Sequence, residues 1–208
     1  MPSTWSIVSS TTVLGQIARD AVEEATVRNP RQSLVAVVFS VGWVEAYCEE
    51  LLQHVKTERI TTSTAVKLRA VLSVTKPAER VREIVQACSD VRIPLDQDPL
   101  RAYALLVDLR NKVIHQAPEW LPIKSSEPVH RANVPTESAL LKRLAHLHIY
   151  NGQPERLRGG LVAALHYAPA ARWAFNTAHA IMSLMIQKLP VENGHPPHLH
   201  RTFIEPVP

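Results

Sequence analysis

The chain has 208 residues, enough for one domain with extensions or one domain and a small subdomain. With 46% apolar and 20% charged residues it can bury a core, and no apolar run approaches transmembrane length. A net charge of +4 permits contact with a polyanion, but no block of Lys and Arg marks out a long duplex-binding surface.

Met1-Pro2-Ser3-Thr4-Trp5 lacks the basic-then-apolar layout of a signal peptide, so a cytoplasmic location without membrane attachment is expected. A first amphipathic helix is expected from about Thr11 to Arg28, with Val13, Leu14, Ile17, Ala21 and Val22 on one face. Asn29-Pro30 breaks it. Ser33 can cap a second helix from Leu34 to about His54, whose first half is apolar nearly all round and therefore suits the middle of a bundle. Val35 to Val41 alone would also suit a parallel strand. The run continues into Glu45-Ala46-Tyr47-Cys48 without a turn signal, and helix is the reading.

Thr61 to Thr64 offers caps for a short helix through Val66, Leu68, Val71 and Leu72. Pro77 suits the first position of the next helix, with Val81, Ile84, Val85 and Cys88 inward and Arg80 and Arg82 on a solvated face. Cys48 and Cys88 both fall on apolar helix faces and read as buried free thiols, not as a disulfide or a metal site.

Asp98-Pro99 opens a further helix, Asp98 as N-cap and Pro99 at its first position, and Pro118 stops it, giving roughly residues 99 to 116. At roughly 100° per residue, Ala102, Leu106, Leu109 and Val113 form the core stripe, and Tyr103, Val107, Arg110 and Ile114 a second beside it. Asn111 and His115 share a third line. Arg110 thus sits in an apolar strip, where an always-charged guanidinium needs a carboxylate, an interface or a phosphate.

Arg110-Asn111-Lys112-Val113-Ile114-His115 resembles the motif of the HEPN superfamily: an arginine, four to six residues, then histidine, with a polar residue after the arginine. The resemblance covers this helix and, loosely, its flanks. It implies an up-and-down helical bundle that pairs as a homodimer, two motif helices facing across a cleft. It further implies a metal-independent endoribonuclease of toxin or defence type, without cofactor, acting on RNA. Arg110, Asn111 and His115 are then the catalytic candidates, with Glu45 and Lys112 as substrate-binding or orienting candidates. Glu45 has two readings: the second helix surfaces there, or Glu45 is the acid that orients Arg110. A toxin would also have an antitoxin or another regulatory protein as partner.

The alternative is a non-catalytic dimerisation or partner-binding module, in which Arg110 pairs with a neighbouring helix and His115 caps its own. A nuclease needs Arg110 and His115 exposed in one cleft; the alternative needs Arg110 paired and His115 inaccessible.

Residues 118–136, with Trp120, Pro122, Pro128 and Pro135, read as an irregular excursion. Thr136 can cap a helix through Leu140, Leu141, Leu144 and Leu147, followed by turns at Tyr150 to Pro154 and Gly159-Gly160. Arg156 and Arg158 are exposed loop arginines on this reading. A last helix is expected from about Ala170 to Lys188, carrying His179 as a core or boundary histidine. Residues 191–208 form a Pro- and His-rich tail, whose His195, His198 and His200 would bind metal only adventitiously. The expected fold is an all-α bundle of five to seven helices, one domain over residues 1–190.

Overall fold

The computed structural model describes residues 9–26, 29–56, 63–89, 92–115, 139–147, 149 and 165–189. They form seven helices and no strand: α1 (Ser10–Glu24), α2 (Gln32–Lys56), α3 (Ser63–Val71), α4 (Pro77–Ser89), α5 (Leu100–His115), α6 (Ala139–His146) and α7 (Ala168–Lys188). The all-α bundle expected from periodicity is the fold observed. The excursion at 118–136, the loop with Arg156, Arg158 and Gly159-Gly160, and the tail at 191–208 lie outside the described residues.

α2 is the central element, packed against α1, α7, α5, α3 and α4. Its apolar circumference dictates this, because a helix apolar all round must be covered all round. Val37, Val41, Trp43, Val44, Tyr47, Leu51, Leu52 and Val55 are all buried. The Val35 to Val41 segment that alone could suit a strand lies within this helix.

α1 and α5 run antiparallel to α2, and α7 runs parallel to it. The start of α1 lies against the end of α2, where Glu50 accepts the Ser9 hydroxyl (2.8–2.9 Å) and the Thr11 backbone N–H (3.0 Å). This carboxylate satisfies one of the unpaired N–H groups at the α1 N-terminus and complements the helix dipole there. At the other end Gln32 Nε2 donates to Glu24 (2.8 Å). α7 runs parallel to α2: Trp43 stacks on Phe175 with ring centroids 5.5 Å apart, and Cys48 Sγ lies 3.9 Å from Met185 Sδ. α5 runs antiparallel to α2, with Arg110 opposite Glu45 and Tyr103 beside Cys48.

The inward face of α1 differs from the expected one. Thr11, Gly15, Ala18, Ala21 and Val22 are buried, whereas Leu14 and Ile17 are half-buried and Val13 is 42% exposed. Packing against a bulky α2 selects a stripe of small side chains, which lets two helix surfaces approach closely, and so displaces the larger residues to the flanks.

The first turn of α5 also differs. Asp98 does not act simply as a cap; its carboxylate receives the Arg101 guanidinium (2.8 and 3.2 Å). Helical backbone bonds nevertheless begin there, Arg101 N–H to Gln97 O and Tyr103 N–H to Pro99 O, both at 3.0 Å. The regular helix starts at Leu100. Pro77 opens α4, as expected of a residue that lacks the N–H a first helical position would leave unpaired.

Candidate functional site at the end of helix five

The last three turns of α5 separate two environments. Leu105, Leu106, Val107 and Leu109 are buried against the bundle. Asp108, Asn111, Lys112 and His115 are exposed. Their spacing of three, four and seven residues puts all four on one outward line. With Leu140 and Arg143 of α6 they line an open pocket of about 480 Å³. Lys112 and His115 occupy the last turn, where cationic groups complement the carbonyl end of the helix dipole.

Arg110 faces elsewhere. It turns toward α2 and donates from Nη2 to the carboxylate of Glu45. The Arg110 side chain is 19% exposed and that of Glu45 34%. Arg110 Nε is buried and lacks a hydrogen-bond partner among the described residues. The structure therefore brings Asn111, Lys112 and His115 into one pocket, and Arg110 and Glu45 into one pair beside it. Arg110 does not line the pocket that holds His115. The wheel explains the separation, since Arg110 and His115 are about 140° apart on an ideal helix.

Of the two readings of Glu45, the part-buried partner of Arg110 is the observed one. The solvated face expected for Arg80 and Arg82 is not. Arg80 donates from Nη1 to Glu49 and from Nε to Val74 O (2.8 Å), and Arg82 pairs with Glu83 (2.7 Å); both arginines are mostly buried. Long methylene stems cover the apolar flank of α4 while carboxylates hold the charged heads.

Sequence reasoning missed Asp108 and Arg143. Asp108 lies seven residues before His115, so the same helical arithmetic would have found it. Arg143 comes from another helix, and no local pattern ties it to α5. His179 is half-buried on α7, away from this pocket. Among the described residues no group of three His, Cys, Asp or Glu side chains is placed to hold a metal ion, and no helix is long and apolar enough to cross a membrane. His195, His198 and His200 lie outside the described residues. Cys48 and Cys88 are free, the first buried and the second half-buried. Burial pushes the Cys48 thiol up to about 12, against the opposing effect of Arg80, and the Cys88 thiol up to about 11.

The pocket carries an imidazole, an amide, an ammonium and a guanidinium, groups that can hold a phosphodiester and move a proton beside it, together with the carboxylate of Asp108, which opposes an anion. In comparisons with known proteins, no family model matches the chain, and no curated protein or solved structure matches it significantly.

Proposed function

We propose that the chain is a metal-independent endoribonuclease of the HEPN type, working at the α5–α6 pocket. The observation that carries this reading is the grouping of Asn111, Lys112 and His115 on one exposed line opposite Arg143. His115 takes the proton from a ribose 2′-hydroxyl, and the freed oxygen attacks the adjacent phosphorus. The bond to the 5′-oxygen breaks, and that oxygen leaves with a proton. The products are a 2′,3′-cyclic phosphate and a free 5′-hydroxyl. Lys112 and Arg143 offset the charge that grows on the phosphate, and Asn111 holds the imidazole or the substrate. In this reading Arg110, held by Glu45, sets the position of the motif helix or turns to phosphate when a substrate arrives. A second copy of α5 across a two-fold axis supplies the imidazole that protonates the leaving oxygen, which makes the active form a homodimer. A cytoplasmic toxin or defence role, with an antitoxin as partner, belongs to the same proposal.

One observation favours a second reading, a non-catalytic dimerisation or partner-binding module: the guanidinium of Arg110 is already engaged by Glu45 within its own chain. RNA cleavage in EDTA separates the two. The nuclease reading expects wild type to leave cyclic-phosphate ends and folded His115→Ala to lose cleavage by about 100-fold or more. Absence of cleavage over a broad RNA panel, or equal cleavage by both proteins, supports the binding module.

A further inference from the structure

A smaller pocket of about 210 Å³ lies between α2, α4 and α5, lined by Glu45, Cys48, Glu49, Thr75, Pro77, Arg80 and Tyr103. Glu45 and Glu49 are one turn apart on α2, so both carboxylates stand on the same wall. Among the described residues each is engaged through Oε1, Glu45 by Arg110 and Glu49 by Arg80. No described hydrogen bond reaches either Oε2. An independent feature points to an occupant. The Tyr103 side chain is wholly buried, and its hydroxyl has no hydrogen-bond partner among the described residues. Tyr103 itself lines this pocket, together with Glu45, Cys48 and Arg80. An orphaned buried hydroxyl costs roughly 1–3 kcal/mol of desolvation, which a ligand would restore.

We propose that this pocket is a binding site for a small primary alkylammonium ion. Such an ion carries three N–H donors and no acceptor. The pocket offers three matching acceptors: the second oxygens of Glu45 and Glu49 and the hydroxyl oxygen of Tyr103. Pro77 and Cys48 provide apolar wall for a short methylene chain. An anion fits poorly, because Arg80, the one cation on the walls among the described residues, already donates to Glu49 and to Val74 O. A ligand here shares Glu45 with Arg110, so its occupancy loosens the pair that holds the motif helix.

Isothermal titration of the full chain with n-butylammonium chloride tests the proposal, against tetramethylammonium chloride and n-butanol at matched ionic strength. The first control has the charge without N–H donors, the second the chain without the charge. Wild type is expected to bind butylammonium and neither control. Tyr103→Phe and Glu49→Gln, each confirmed as folded by circular dichroism, are expected to bind about tenfold more weakly or worse. Tyr103→Phe removes only an unpaired hydroxyl, so it retains the fold even if Glu49→Gln does not. No butylammonium binding by wild type, equal binding of tetramethylammonium, or undiminished binding by Tyr103→Phe overturns the proposal. The measurement reads binding alone, so its outcome is separate from that of the RNA-cleavage test.

Discussion

Arg110 of α5 is ion-paired to Glu45 of α2, and this contact ties the motif helix to the central helix of the bundle. The pair lies at the edge of the core, where an always-charged guanidinium costs more unpaired than it does in water. Removing the acid leaves that cost in place. Glu45→Gln is expected to destabilise the fold by about 1–3 kcal/mol in urea unfolding. The double variant Glu45→Gln/Arg110→Gln should lose less than the sum of the two single losses, and strict additivity would show that the pair contributes nothing.

His115 should behave in the opposite way. It is exposed, so His115→Ala is expected to shift stability by no more than about 0.5 kcal/mol. Arg110→Ala should destabilise clearly more. Comparing the urea midpoints of the two variants checks this contrast before any activity is measured.

Thermal or urea unfolding should also respond to alkaline pH. Cys48 and Cys88 are held in their neutral form by burial, with folded values of about 12 and about 11 against an ordinary 9.0. A raised folded value means that the associated stability is fully present below the unfolded value and is lost as pH rises through the folded one. Stability is therefore expected to fall from about pH 9 upward, at up to ~1.4 kcal/mol per pH unit for fully buried Cys48. Cys48→Val should flatten that slope. Alkylation at mildly alkaline pH should label half-buried Cys88 before Cys48.

The Trp43–Phe175 stack joins α2 to α7 in the interior. Trp43→Ala removes the ring and leaves a void that close-packed helices only partly fill, at an expected cost of about 3–5 kcal/mol in urea unfolding. Trp43→Phe should cost distinctly less, since it keeps an aromatic face for Phe175.

Glu50 holds the start of α1 through Ser9 and the Thr11 N–H. Glu50→Gln keeps the shape and removes the charge that complements the helix terminus. Its expected cost is about 0.5–1.5 kcal/mol, and amide exchange should rise first at the start of α1.

The helices themselves were legible in the sequence, because helix formation follows from spacing that is local. The continuous apolar circumference of Leu34 to Val44 already implied a central α2, and Pro77 marked the start of α4, where a residue without an N–H is favoured. The outward line of Asn111, Lys112 and His115 could also be read from residues alone, since helical geometry fixes their relative directions. What lay across from those residues could not. That Glu45 meets Arg110 depends on how α2 and α5 pack, 65 positions apart in sequence. Arg143 reached the pocket, and small side chains replaced Val13 on the inner face of α1, for the same reason. Periodicity states which way a side chain points from its own helix; only the packing of one helix on another decides what it meets.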